Sequence, residues 1–283
     1  MIDKQQTWTE EIKSQNTLFS INIKELWQYR DLLLMLVKRD YVTFYKQTIL
    51  GPIWFFVQPI LTMLIYIVLF GQIANIKTDG APQAAFYLSG IIIWNYFSES
   101  LTKTSTVFKD NSNLFGKVYF PRLIMPLSIV FSGLMKFLIQ FILFIVVILY
   151  YTFIAEKIHP NMWVLATPFL ILLMACFALG LGMIFSSLTT KYKDLVFLLT
   201  FGIQLFMYAT PVVYPSSAMP KKFAFFLDIN PLTGIFECFR FAYLGTGSFK
   251  PESLGISSLL IGLLLVVGVL IYNKVEKSFM DTV

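Results

Sequence analysis

Three sets of polar and aromatic residues recur at helical spacing inside runs that are otherwise hydrocarbon. Trp54, Gln58, Thr62 and Tyr66 follow every four residues, and so do Thr200, Gln204 and Tyr208; Asn95, Glu99, Thr102 and Thr106 are spaced by four, three and four. On a helix each set forms one ridge. Amides and hydroxyls that bond ring oxygens, set beside flat aromatic faces, are the groups that grip a sugar. The same groups also bond one membrane helix to another, and the spacing alone leaves both readings open. Lys136 lies near the middle of a further apolar run, where it either snorkels or pairs with a neighbour such as Glu99.

Other chemistry has little to stand on. The single histidine, His159, precedes Pro160 in a short polar connection, which argues against a metal site or a histidine-dependent triad. No GxxxxGK[ST] occurs, and Gly116-Lys117 lacks both the earlier glycine and the following Ser or Thr, so the chain has no phosphate-cradling loop of its own. Cys176 and Cys238 sit far apart in apolar surroundings, without metal or disulfide-scaffold spacing, and read as packing residues.

The elements that must position the ridges follow from composition. Of 283 residues 57% are hydrophobic and only 13% charged, where soluble domains average about 25% charged. Runs of about 20 apolar residues cross a hydrocarbon core about 30 Å thick. They do not alternate every second residue, so the expected class is an all-α membrane protein rather than a barrel. Six spanning helices are expected near residues 51–74, 85–102, 123–153, 162–188, 195–215 and 254–273. The second is the most polar, with Asn95, Ser98 and Glu99. The third, about 46 Å long at 1.5 Å per residue, must tilt or project beyond the bilayer. Ala178, Gly182 and Ser186 have the small-residue spacing that lets helices approach closely. The first 50 residues hold no apolar stretch shaped like a signal-peptide core, so no cleaved signal is expected.

Of the 22 Lys and Arg, 15 lie in segments 1–50, 103–122, 189–194 and 274–283, and 6 in the connections on the other side. The positive-inside rule then puts both termini in the cytoplasm. The net charge of +6 reflects this distribution and is weak ground for nucleic-acid binding. Residues 1–22 form a polar tail and 23–283 one membrane domain. Within it, residues 23–47 form an amphipathic interface helix whose stripe includes Ile23, Leu26, Trp27, Leu33, Leu34, Val37, Tyr41 and Phe44. Its charged side either meets anionic headgroups or is simply solvated. Residues 221–245 hold two apolar stretches too short to cross, broken by Asn230-Pro231, and read as a re-entrant helical hairpin on the outer side that lines or caps a passage. The basic turn 102–122, with Phe108, Leu114, Phe115, Val118 and Tyr119, reads as a docking knob for a partner's groove or as an ordinary solvated loop.

These features, taken in order, carry a family likeness. RDYVTFYKQTILGPIWFFVQP (39–59), FPRLIMPL (120–127), KYKDL (191–195), TPVVYP (210–215) with MP (219–220), and NPL (230–232) followed by Arg240 resemble the membrane subunit of polysaccharide-exporting ABC transporters, the O-antigen, capsule and teichoic-acid export group. The likeness runs from about residue 25 onward. It implies a homodimer of six-helix subunits in the bacterial inner membrane with two ABC ATPase subunits on the cytoplasmic face. ATP and Mg would be held there, and this chain would hold no cofactor and do no catalysis. It also implies a lipid-linked glycan substrate threaded through the dimer interface, a path that Trp54, Gln58, Thr62, Tyr66, Asn95, Glu99, Thr200, Gln204 and Tyr208 of the ridges would line, and ATPase docking by Lys109, Phe115, Lys117, Tyr119 and Lys193. Arg39, Lys46 and Arg122 would meet a lipid diphosphate or a phospholipid headgroup. Asn230, Pro231 and Arg240 would belong to an outer gate. A related permease exporting drugs or small lipids is the alternative, for which a dry aliphatic interface is expected. A membrane-embedded enzyme would need clustered acids or histidines, and an ion-coupled carrier paired charges within several spans.

Overall fold

The computed structural model describes residues 23–46, 49, 51–115, 117–220, 222, 224–247 and 249–280. The polar tail 1–22, residue 47 of the interface helix, and residues 221 and 223 of the outer hairpin lie outside these. The described residues are helical, with no strand among them.

The interface helix is two pieces, α1 (Ile23–Gln28) and α2 (Arg30–Lys46), with a turn at Tyr29. Gly51 then adopts a φ of +52°, a left-handed conformation that favours glycine, and Pro52 supplies the fixed φ that starts a helix. The chain therefore changes direction between α2 and α3 (Gly51–Ile73). Tyr41 stacks on Phe55 across the bend, with ring centroids 6.0 Å apart and planes 12° from parallel. The last turns of α3, Ile67–Ile73, widen into π-helix.

Among the described residues four helices are long and apolar enough to cross a membrane: α3, α7 (Ile124–Ile154), α8 (Met162–Lys191) and the Pro251–Val275 stretch of α12 (Pro251–Met280). Their bounds agree with the expected first, third, fourth and sixth spans to within three residues. The helix α4 (Gln83–Ser105) also forms where expected. The expected fifth span is shorter than the sequence suggested: it forms as α9 (Leu195–Ala209), and Thr210 is extended. Pro211 disfavours helix at the preceding residue, and Pro211 and Pro215 both lack an N–H. The connection expected to form the hairpin holds two short helices, α10 (Ala224–Ile229) and α11 (Thr233–Leu244).

The most polar candidate span is also the centre of the fold. Every residue from Ala85 to Trp94 is buried, because α4 is wrapped by α3, α7, α8, α9 and α11. Its serines and threonines face protein rather than lipid. Ala178, Gly182 and Ser186 are all buried, and Gly182 leaves room for Thr104 of α4. A second cluster, beyond the carboxyl end of α4, gathers Leu36, Phe108, Phe115, Phe120, Met125 and Tyr272. The turn after α4 contains α5 (Val107–Asp110) and α6 (Ser112–Phe115), and its expected exposed aromatics are corrected accordingly. Phe108 and Phe115 are buried, Phe108 stacking on Tyr272 with centroids 4.6 Å apart, while Val118 and Tyr119 are exposed.

On the other side of α8, α12 approaches so closely that a Cβ on Gly268 would meet the Gly180 carbonyl carbon at 3.0 Å, whereas one on Gly262 would meet nothing within 4 Å. Gly268→Leu should therefore destabilise the fold by about 2 kcal/mol through overpacking, and Gly262→Leu should be neutral or slightly stabilising, since leucine is the better helix former. Thermal unfolding of the two variants in detergent tests the contrast.

Candidate functional site

Two helices of different character meet to form a cleft. From α4 come Trp94, Ser98 and Thr102, and from α9 come Thr200, Ile203, Gln204, Met207 and Tyr208; together they line a cavity of about 320 Å3. That is within the range of small-ligand sites, about 300–1,000 Å3. Trp94 is anchored beneath the cleft against Phe97 and Phe206, at centroid distances of 5.5 and 6.1 Å. The Thr102 hydroxyl donates to the Ser98 carbonyl at 2.7 Å and the Thr200 hydroxyl to the Val196 carbonyl at 2.9 Å. Each such hydroxyl oxygen keeps acceptor capacity for a donor in the cleft. Gln204 and Tyr208 are exposed on the α9 side. The lining is an aromatic wall with hydroxyl and amide groups and no ionised side chain.

The three expected ridges are distributed differently from one another. Thr200, Gln204 and Tyr208 stay together and line the cleft. The α4 set splits: Thr102 is in the cleft, and Asn95 is half-buried and outside its lining. Thr106 donates to the Asp110 carboxylate at 2.6 Å. Glu99 points into another groove, where its two oxygens take Lys136 at 2.7 Å and Lys103 at 2.9 Å. The pairing with Lys136 is the one the sequence suggested. Trp94 and Ser98 take the places in the cleft that Asn95 and Glu99 were expected to hold. Trp94, Ser98 and Thr102 are also spaced by four, so the signal was present one residue earlier on the same helix.

On α3, Trp54 is 42% exposed, Gln58 is exposed, and the Thr62 hydroxyl donates to the Gln58 carbonyl at 2.9 Å. Only Tyr66 reaches α9: its hydroxyl lies 3.5 Å from the Met207 sulfur, and its ring packs edge-on to Phe70 and Tyr87.

The cytoplasmic residues also separate by burial. Lys109, Lys117, Tyr119 and Lys193 are exposed. Phe115 is 6% exposed and packs on Phe108 and Phe120, so it shapes the turn from within rather than presenting a surface. Arg39 binds its neighbour Asp40 through Nε and Nη2, at 3.0 and 2.8 Å. Lys46 is exposed. Arg122 is only 6% exposed, with its guanidinium 5.5 Å from the Phe115 ring centre. A buried guanidinium is not presented to a headgroup, and its expected place in that group is corrected to the second cluster.

Arg240 is likewise interior. It donates to the carbonyls of Pro211, Val212 and Tyr214 and to the Ser89 hydroxyl, and its guanidinium lies 3.8 Å over the Phe86 ring. Asn230 donates to Thr210 Oγ1 at 2.9 Å and accepts from the Leu232 N–H at 3.0 Å, and Pro231 follows it in the turn between α10 and α11. Arg240 and Asn230 together hold the irregular segment 210–215 against α4 and the hairpin.

The described residues thus form helices, four of them apolar enough to span a membrane, around a neutral polar cleft. The sequence pattern of the ABC-2 type transporter family matches residues 31–244, and the chain belongs to that family. It is similar to the O-antigen export system permease protein RfbA of Klebsiella pneumoniae, at 29% identity over 252 residues covering 89% of this chain and 94% of that protein. The RfbA protein of Myxococcus xanthus is 30% identical over 220 residues, 77% of this chain and 82% of that one. The polysialic acid transport protein KpsM of Escherichia coli is 23% identical over 236 residues, covering 82% and 89%.

Replacing Arg240 with methionine strands three buried carbonyls, each costing about 1–3 kcal/mol. Lysine has one compact ammonium instead of a planar fork and cannot reproduce the contacts. Both variants are expected to lower the unfolding midpoint and to make segment 210–215 susceptible to limited proteolysis, while Lys222→Met, on an exposed site of the same connection, leaves both unchanged.

Proposed function

We propose that this chain is the channel-forming permease subunit of an ATP-driven transporter that exports a lipid-linked polysaccharide across the bacterial inner membrane. The observation that carries the reading is the cleft between α4 and α9: uncharged, bordered by aromatic rings, supplied with hydroxyl and amide groups, and large enough for a sugar ring. Such a surface suits a chain of neutral pyranose units, because rings stack on sugar faces while short hydrogen bonds can be exchanged one unit at a time. The names of the similar proteins, O-antigen export permease and polysialic acid transport protein, support a polysaccharide substrate.

In this reading two copies pair so that the exposed faces of α3 and α9, which carry Trp54, Gln58 and Tyr208, enclose one path. Both α4 and the short α9 count as spans, for a total of six. α4 is shielded by its neighbours, and α9 is continued across the outer leaflet by segment 210–215 and the hairpin. Both termini are cytoplasmic, as the distribution of Lys and Arg supports. Two ATPase subunits dock against the exposed cytoplasmic set, Lys109, Lys117, Tyr119 and Lys193, and hydrolyse ATP with Mg. Arg39 and Lys46 attract the lipid diphosphate or phospholipid headgroups, with Arg39 already engaged by Asp40.

Gln204→Leu combined with Tyr208→Ala removes an amide and a ring from the cleft. Export by the double variant is expected to fall about tenfold, equivalent to about 1.4 kcal/mol, with membrane insertion and copurification of the ATPase unchanged. Glycan at the cell surface, quantified against intracellular lipid-linked precursor, reads the effect. Export at the unmodified rate would overturn the reading of the cleft. Separately, Lys109→Glu with Lys117→Glu is expected to weaken copurification with the ATPase, more so at low salt because the contact is electrostatic.

A further inference from the structure

α4 carries two different surfaces on adjacent residues. Ser98 and Thr102 face the cleft, while Glu99 and Lys103, one position further along, face the groove between α2, α3 and α7. That groove has a cavity volume of about 30 Å3, enough for about two waters, and is too small for a sugar or a lipid headgroup. It is filled by charge instead. The Glu99 carboxylate is shared between Lys136 of α7 at 2.7 Å and Lys103 of α4 at 2.9 Å, and the Lys136 and Glu99 side chains are only 17% and 25% exposed. Lys136 also lies 5.7 Å from the centre of the Phe55 ring at the start of α3. One turn earlier on α7, the Ser132 hydroxyl reaches the Asp40 carboxylate of α2 at 3.4 Å.

The interface helix, the first turn of α3, and helices α7 and α4 thus meet through directional, mostly charged contacts at one point. Elsewhere α4 is held by apolar packing, by hydroxyls bonded to their own helix, and near its two ends by Arg240 on the Ser89 hydroxyl and the Thr189 hydroxyl on the Ser105 carbonyl; between those ends, packing alone constrains sliding and rotation weakly. A shared carboxylate resists both, because either movement separates a half-buried ion pair.

We propose that Glu99 is a positioning residue that locks α4 to α7 beside the bend between α2 and α3, so that displacement of the interface helix is transmitted to the cleft wall carried by Ser98 and Thr102. This rests on the reading of the chain as an ATP-driven permease, and it moves Glu99 from the path to the joint that moves the path. The joint places the charged pair one residue away from the path-lining positions, so a rotation of α4 cannot move one without the other.

The test uses the full-length chain with its ATPase in lipid nanodiscs and measures ATP hydrolysis and glycan export separately. Coupling free energies between sites correspond to about 5–150-fold effects. Glu99→Gln and Lys136→Met are therefore expected to lower export at least about tenfold while hydrolysis stays within about twofold. Lys136→Arg, which keeps the ion pair, is expected to export within about threefold of the unmodified chain. The joint is overturned if Glu99→Gln and Lys136→Met export normally, if Lys136→Arg is as defective as Lys136→Met, or if hydrolysis falls in parallel with export. A second readout is independent of the substrate: the distance between spin labels at Lys38→Cys on α2 and Leu205→Cys on α9. ATP is expected to change this distance in the otherwise unmodified chain and to leave it unchanged in Glu99→Gln. A complex that moves no glycan yet shows the distance change overturns the glycan reading and leaves the joint to be judged by the labels. A change that persists in Glu99→Gln overturns the joint.

Discussion

In hydrocarbon a polar group must find its partner within the protein, and the structure is arranged around the helix for which this is hardest. α4 carries Asn95, Ser98, Glu99, Ser100, Thr102, Lys103, Thr104 and Ser105 in its second half. Left facing lipid, such a helix would be expelled. It is retained because α7 brings Lys136 to Glu99 and α8 brings small residues that let Thr104 sit against Gly182. The helices that are apolar enough to stand alone thus surround one that is not. The same enclosure explains the placement of the cleft: the face of α4 that carries Ser98 and Thr102 is incompletely covered by the short α9.

The end of the molecule that holds segment 210–215 solves the same problem for backbone rather than side-chain charge. Segment 210–215 cannot be helical, so its carbonyls need donors from elsewhere, and Arg240 supplies several at once. A guanidinium suits this place because it stays protonated when buried and presents its donors in a plane. Asn230 adds a bond to Thr210 at the start of the same segment. The hairpin is therefore fastened to α4 and α9 at its inner helix, while α10 keeps Phe225 and Phe226 exposed.

Much of this was legible before any coordinates. The apolar runs marked α3, α7, α8 and α12 because length and hydropathy are properties of a segment alone. α4 was recoverable as well, despite its polarity, and the Glu99 to Lys136 pair followed from the cost of a lone charge in such a run. The ridge on α9 held because that helix has one covered side and one open side. The ridge on α4 did not, since residues 98 and 99 differ by about 100° around the axis, and which of them meets α9 is decided by packing among five helices. Phe115 and Arg122 were misplaced for a related reason: aromatic and basic residues in a polar turn look alike whether they face a partner or fold back, as Phe115 does on Phe108 and Arg122 on Phe115. The end of α9 was overrun because Val212 and Val213 are apolar, and only the prolines on either side signalled the break.

The contact between α8 and α12 bears on how the protein is made. A groove centred on Gly180 is complementary to Gly268, yet nearly ninety residues of synthesis separate the two positions. Until the last helix enters the bilayer, α8 exposes a furrow of backbone that its final neighbour is shaped to close. Earlier helices can insert and associate, but the bundle must wait for its carboxyl-terminal helix, leaving an interval in which an unfinished chain offers quality-control proteases a flank that the finished one conceals.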